Sequence, residues 1–428
     1  MGDRAIGTAA IVGGGPAGLI AAEWLAAEGF EVTVFEHQRS VGRKFLLAGR
    51  GGLNLTHSEP IDEFVRRYDT AGWVAPLLAE FGPDDLRAWC ASLGEETFVG
   101  SSGRVFPASF RATPLLRAWL RRLVDLGVEF RTQHRWLGWN EDGSHRFTDA
   151  TGVGDGRQVV VRADVAVLAL GGASWPRVGS DGGWVGPFAD AGIQVTSLRP
   201  ANAGFVVDWS AGFVDRFAGQ PLKNVAITVE SGIGGSTTVR GDAIVSESGL
   251  EGGPVYGVGR VVRAQIEQAG SCGLSIDLHP DQTIDQVAGR LTKRRPKDST
   301  TTWLRRGLGL DLVAVNLLRE SQGTALPTEA TPMGRLVKAV PLTVRAIMPI
   351  DRAISTAGGI ALDELDADLM LRRRPGTFVA GEMIDWEAPT GGYLLQASFS
   401  SGVVAARGAS KWSRGERDRS RSLTGHDG

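Results

Sequence analysis

The sequence predicts an α/β protein built on a parallel sheet, and three stretches carry that expectation. "TAAIVGGGPAGLIAAEWLAAEGFEVTVFE" (Thr8–Glu36) reads as strand, glycine turn, helix and strand. "DVAVLAL" (Asp164–Leu170) is an unbroken apolar run that stops at Gly171-Gly172. "TFVAGE" leads, a few residues on, into "GGYLLQASFSSGVVAARGAS", a glycine-led helical pattern. Short, fully apolar strands alternating with helices imply parallel strands covered on both faces.

The elements follow in order. Thr8–Val12 is a short buried strand. Pro16–Glu28 has helical periodicity, with proline in the first turn and Gly29 at the end. Glu31–Phe35 is the next strand, which completes a βαβ unit. Ile61–Leu93 reads as helical. Pro114–Leu126 is an amphipathic helix running into a strand. From Leu198 to Glu247 short alternating runs such as "KNVAITVE" sit between glycine turns, which points to an antiparallel insert. From Val255 to Leu336 the chain reads helical and polar, with "LTKRRPKDST" as a solvated connection. The α/β texture returns near Val344. The charged segment after Lys411 is poor in apolar residues and is expected to be disordered. The expected organisation is a discontinuous α/β domain (1–195 and 344–410), a β-rich insert (196–254), a mostly helical insert (255–343) and a tail (411–428).

Composition narrows the function. The net charge of -2 lacks the basic surplus that phosphate backbones demand, so no nucleic-acid partner is expected. Only Cys90 and Cys272 are present, with no CxxC, which excludes a disulfide framework, a cysteine zinc site and a dithiol pair. The six histidines show no ligand spacing, so no metal is expected either. No apolar run approaches the length of a membrane span, and Asp3 beside Arg4 is unlike a signal peptide. The cytoplasm is the expected compartment. No GxSxG or Ser/His/Asp spacing supports hydrolysis. Nothing in the sequence sets an oligomeric state.

"GGGPAG" places Gly13, Gly15 and Gly18 in the G-x-G-x-x-G register, with Pro16 and Ala17 between the last two. Gly13 allows the tight turn, Gly15 lets backbone approach a pyrophosphate, and Gly18 lets helix pack on sheet. The helix N-terminus offers free N–H groups to phosphates. Glu36 ends the second strand, where a carboxylate accepts ribose hydroxyls. These residues point to a dinucleotide without naming it. A second glycine-rich turn follows, with Gly42, Arg43, Lys44, Gly49, Gly51, Gly52, Asn54 and Thr56. Such a loop can wrap the diphosphate and ribityl side of a longer cofactor with amides and positive charge. At the far end Gly381, Glu382 and Asp385 leave a strand, and Gly391-Gly392 opens a helix whose first amides can meet a flavin edge.

The motifs "IVGGGPAGL…VFE", "GRKFLLAGRGGLNLTHSE", "GRVFP", "LALGGASWPRVGSDG", "STAGGI" and "FVAGEMIDWEAPTGGYLLQASFSSG" resemble the BaiN-like (YhiN-like) flavoproteins, which are NAD(P)/FAD-dependent oxidoreductases. The resemblance covers nearly the whole chain. It implies a Rossmann-like FAD-binding domain of the two-dinucleotide-binding type, with a β-barrel-like insert and a small helical insert. It places Gly13, Gly15 and Gly18 at the pyrophosphate and Glu36 at the adenosine ribose. Arg43, Lys44 and the Gly49–Asn54 loop run along the cofactor, and Gly171 and Gly172 pass near its adenine half. Asp385 holds the ribityl or pyrophosphate region, and Gly391, Gly392 and Tyr393 lie at the isoalloxazine. Where the wider family often reads "GGGRCN" this chain reads "GRGGLN", so Leu53 replaces the cysteine and the arginine moves to Arg50. Where the family reads "GGYN", Leu394 replaces the asparagine.

The implied function is an FAD-dependent oxidoreductase passing hydride through flavin N5. One specific version is an NAD(P)H-dependent reductase of a small organic substrate with a conjugated double bond. No second strand–GxGxxG–helix unit is visible, so NAD(P)H would visit the flavin transiently. The substrate site is expected near Arg345, Ser355–Gly359 and Tyr393. Arg104 and Arg345 are candidates for anchoring an anionic group, against a reading as surface arginines. His57 reads as a packing residue, and no catalytic acid or base is assigned. Two alternatives stay open: a non-catalytic flavin-binding sensor or partner protein, and a flavin-dependent RNA-modifying enzyme.

Overall fold

The computed structural model describes residues 6–49, 51–152, 156–231, 235–323 and 325–424. The chain divides into two compact units, one running to Arg199 and resuming at Ser355, the other spanning Pro200–Ile354. Each has its own hydrophobic core.

The first unit is organised by a five-stranded parallel sheet. Its order is Thr377–Val379, Val165–Leu168, Thr8–Val12, Glu31–Glu36 and Glu129–Thr132. Thr8–Val12 lies in the middle, and four of its five residues are buried, as the apolar run requires. Two helices pack closely against each other beside the sheet. One is Pro16–Ala27, the other Tyr393–Thr424. A Cβ built at Gly402 would overlap the Ala17 carbonyl oxygen and the Ile20 side chain, so only glycine permits this approach. Glu23, buried on the first helix, is satisfied by Trp89 Nε1 and by Arg122, each at 3.0 Å.

The region read as one helical stretch over Ile61–Leu93 is three helices, Ile61–Val65, Ala71–Glu80 and Pro83–Ser92. Pro83 disfavours helical backbone at Gly82, which is extended, and so separates the last two. The C-terminal helix continues past Lys411 to Thr424, where composition predicts disorder. Arginine, glutamate and lysine are good helix formers, and extending an anchored helix carries no nucleation cost. Among the described residues, no helix is long and apolar enough to cross a membrane.

The second unit corrects the division into two inserts. Its seven-stranded sheet runs Val340–Val344, Cys272–Asp277, Pro221–Ser231, Gly235–Ser246, Gly249–Gly252, Phe205–Val206, Ala346–Ile347. Cys272–Asp277 and Val340–Val344 come from the segment read as helical. Both bury alternate residues, a period-2 signal masked by the helices around it. The return to the α/β domain therefore comes at Ser355 and not near Val344. The two edge strands are separated in sequence only by Arg345, so the sheet's edges come together and it curls toward a barrel.

A small antiparallel sheet in the first unit, His134–Trp139, His145–Asp149 and Arg157–Val161, encloses an aromatic cluster. His145 is 5% exposed and its Nδ1 accepts Trp136 Nε1–H at 3.1 Å. Burial, assisted by the charge of Arg374, holds its imidazole at a pKa of about 4, below the usual 6.5. The folded form therefore disfavours the proton. Its contribution is complete above pH 6.5 and is lost as pH falls from there to about 4, a loss of about 3 kcal/mol. Denaturant unfolding across that range should show a shallower acid loss in H145Q, which keeps an acceptor for Trp136. Parallel profiles for the two proteins would contradict this assignment.

Candidate functional site

The three glycines of the first turn have separate jobs. Gly13 has φ +108°, donates its N–H to Phe35 O at 2.8 Å, and has no room for a Cβ beside the Ala169 carbonyl. Gly18 meets the Gly13 carbonyl just as closely. Both are packing glycines. Gly15 is different: a Cβ there would meet nothing within 4 Å. It caps the helix that starts at Pro16, with no side chain on the first free N–H groups. Open space lies where a phosphate is expected. Ala17, in the first turn, backs onto Gly381, whose Cβ would come 2.9 Å from that of Ala17.

Glu36 is oriented before any ligand arrives. Its two oxygens accept Gly14 N–H at 2.9 Å and Gln38 N–H at 2.8 Å. His37 Nδ1 lies 3.5 Å from the same carboxylate. Burial pushes the His37 imidazole below its ordinary pKa against the pull of Glu36, so the ring is neutral near pH 7.

The second glycine loop is tied to the first, since Gly42 N–H donates to Gly14 O at 2.8 Å. Lys44 Nζ lies in a cage of Glu382 Oε2 (2.5 Å), Ser174 Oγ (2.7 Å) and Ser180 Oγ (3.3 Å). Gly49 is pressed on Ala112 and Gly52 lies under the Phe110 ring, whereas Gly51, at φ +84°, borders open space. Arg50 lies outside the described residues. Three buried polar atoms here have no partner: Arg43 Nε, Asn54 Oδ1 and Thr56 Oγ1. Burying such atoms unpaired costs about 1–3 kcal/mol each, a cost that a polar ligand reaching them would offset.

Gly171 has φ +71°, and Gly172 lies against Thr356. Glu382 links these segments. Its carboxylate accepts Thr356 N–H at 3.0 Å and Gly172 N–H at 3.4 Å besides holding Lys44. Sequence reasoning gave this residue no role, because its partners lie as far as 338 positions away. Asp385 is set by its backbone, which donates to Ile360 O at 3.0 Å. Among the described residues no hydrogen bond reaches its carboxylate.

At the C-terminal motif, Gly391 and Gly392 have φ +135° and +100°. A Cβ on Gly392 would come 2.5 Å from the Thr56 backbone, so the last glycine pair meets the second glycine loop directly. The Tyr393 ring folds under Gly391, and its hydroxyl donates to Glu59 Oε1 at 2.6 Å. His57 stacks on that ring at 5.6 Å. Its Nδ1 accepts Glu59 N–H and its Nε2–H donates to Ser102 O, which leaves no free nitrogen for chemistry. Arg104 lies exposed on its strand, and Arg345, in the other unit, forms a surface pair with Asp208. Burial raises both thiols, Cys90 to about 12. Among the described residues no group of side chains could hold a metal.

Residues from four distant segments thus converge: the first turn, the second loop, Gly171–Gly172 and Gly381–Tyr393. Open space at Gly15 and unpartnered Arg43, Asn54 and Thr56 fit an extended dinucleotide such as FAD. The family model described as HI0933-like protein Rossmann domain matches residues 7–408. The chain belongs to this family. It is 25% identical over 413 residues to the 3-dehydro-bile acid delta(4,6)-reductase of Clostridium scindens, covering 94% of this chain and 98% of that one. Two solved structures share the fold. The open conformation of a flavocytochrome c3 fumarate reductase aligns with a TM-score of 0.51 at 15% identity, over 95% of this chain and 78% of that one. The 3-ketosteroid delta1-dehydrogenase from Sterolibacterium denitrificans also reaches 0.51, at 13% identity over 94% and 99%. The chain is a flavin-dependent oxidoreductase with a Rossmann-type FAD-binding domain.

The glycine assignments separate by mutation. Gly15 has extended backbone and free space, so G15V should unfold at the temperature of the cofactor-free wild type yet purify without visible flavin absorbance. G18V should lose about 1–3 kcal/mol from overpacking against the Gly13 carbonyl. Calorimetry with absorbance near 450 nm (an approximate flavin band) reads both. A G15V protein that stays yellow would remove the pyrophosphate from this turn.

Proposed function

We propose that this enzyme reduces a conjugated carbon–carbon double bond in a small organic molecule, with NADH or NADPH as the reductant. The observation that carries this reading is the end-to-end match to a reductase named for its delta(4,6) action on a 3-dehydro-bile acid. The substrate class stops at the conjugated bond. Leu53 and Leu394 stand where the family often has cysteine and asparagine, so the polar contacts of relatives do not carry over.

FAD, when bound, supplies hydride acceptance and donation at its N5. The chain's own residues do the rest. The Gly15 turn and the helix behind it take the pyrophosphate, and Glu36, fixed by two backbone amides, takes the adenosine ribose. Lys44 and Glu382 neutralise each other beside Gly172, where the cofactor's sugar hydroxyls and phosphates would exchange hydrogen bonds with them. The first amides of the helix at Tyr393 offer partial positive charge to an anionic ring edge. Leu53, fully buried, leaves the second loop without a thiol. Among the described residues no second strand–GxGxxG–helix turn for a nicotinamide occurs, in keeping with a reductant that visits the flavin transiently.

The test is anaerobic mixing of the FAD-loaded protein with NADH and with NADPH, followed by α,β-unsaturated ketones as acceptors. Bleaching by one nicotinamide and recovery on adding an enone is the expected result. A yellow protein that neither nucleotide bleaches would replace this reading with a flavin-bearing sensor or partner.

A further inference from the structure

The Gly391–Gly392–Tyr393 turn is held by more chemistry than a helix start requires. Tyr393 is gripped at both ends. Its hydroxyl donates to Glu59, and its carbonyl oxygen accepts the hydroxyl of buried Tyr68 at 2.7 Å. Its ring lies between Phe64 (4.8 Å) and His57 (5.6 Å). Glu59 is held in turn by Arg67, whose Nη2 lies 2.6 Å from Oε2 and whose Nε reaches both oxygens at 3.1 and 3.2 Å. The Glu59 side chain is 8% exposed.

Anchoring the helix does not explain this arrangement. The helix is already fixed further along by Gly402 against Ala17, and by Gln396 and Ser400, whose side chains both donate to Phe81 O. Burying a carboxylate costs several kcal/mol before its partners repay it, and an apolar staple would anchor the helix at less cost. What the Glu59–Tyr393 bond adds is direction: it fixes the ring, the ring lies under Gly391, and the two glycines are held in backbone conformations that L side chains rarely adopt. Burial first, then Glu59, pushes the Tyr393 phenol well above its ordinary pKa, so it remains a donor. Burial raises the Glu59 carboxyl, but hydrogen bonds from Arg67 and Tyr393 outweigh it and keep the group ionised.

We infer that Glu59, Arg67 and Tyr393 form a positioning clamp that aims the first amides of the C-terminal helix and thereby sets how strongly the site favours reduced over oxidised flavin. This rests on the reading that the flavin's pyrimidine edge meets the Gly391–Tyr393 turn. Amides aimed at that edge stabilise the negative charge gained on reduction. Loosening them penalises the reduced form more than the oxidised one.

Two variants test the clamp without changing net charge. Y393F removes only the hydroxyl, and E59L/R67L removes the ion pair as a unit. E129Q, in a surface pair with Arg131, is the control. In cofactor-free protein, the Gln396 amide, which donates to Gly392 O at 3.0 Å, should exchange its hydrogen at least tenfold faster in both variants than in wild type or E129Q. In the FAD-loaded full chain, the reduced-over-oxidised preference should fall about tenfold, a negative shift of about 30 mV for a two-electron couple. Should E59L/R67L not fold, Y393F alone decides the matter. Wild-type exchange in Y393F, or an FAD-loaded Y393F within twofold of the wild-type preference, overturns the clamp. A wild-type protein that takes up no FAD defeats the flavin reading instead, and the exchange measurement still judges the clamp.

Discussion

The first unit depends on one close approach. Helix Pro16–Ala27 and helix Tyr393–Thr424 touch where Gly402 meets the Ala17 carbonyl, at a separation that admits no side chain. The same first turn is backed by Gly381 against Ala17 and by Gly18 against Gly13. Small residues allow these approaches, and the meetings of Gly402 and Gly381 with Ala17 tie the N-terminal turn to C-terminal segments. The N-termini of these two helices, at Pro16 and at Tyr393, are therefore fixed within a single packing unit. Interiors at this density transmit displacement, so a methyl group at Gly402 would move both.

Around that packing the polar groups are shared out unevenly. Lys44, Ser174, Ser180, Thr356 and Glu382 satisfy one another. Glu59, Arg67 and Tyr393 do the same beside the Gly391–Gly392 turn. Arg43, Asn54 and Thr56 each keep a buried atom unpaired. Saturated networks hold the walls in place, while unsaturated atoms mark where a ligand completes the hydrogen bonding. The distribution explains how a site can be rigid and still hold affinity in reserve.

Much of this was legible in the sequence, though not uniformly. The close packing at Gly13 and Gly18 follows from spacing alone, because a tight turn and a close packing contact are local backbone demands. The position of Glu36 at the end of the adjacent strand is legible for the same reason. The strands Cys272–Asp277 and Val340–Val344 were not, since each is a few residues of period-2 signal among helices. Glu382 and Glu59 were invisible as organising residues. Nothing near Glu59 in sequence points to Tyr393, which lies 334 residues away.

By itself, then, the sequence determined the α/β class, the dinucleotide turn and the glycine pairs, because sterics and hydrogen-bond period are encoded within a few consecutive residues. Only the tertiary structure decided which glycine leaves room for a ligand, which carboxylates hold which cations, and that the insert is one curled sheet. Those outcomes depend on strand order and helix contact, which bring together side chains that no local rule relates.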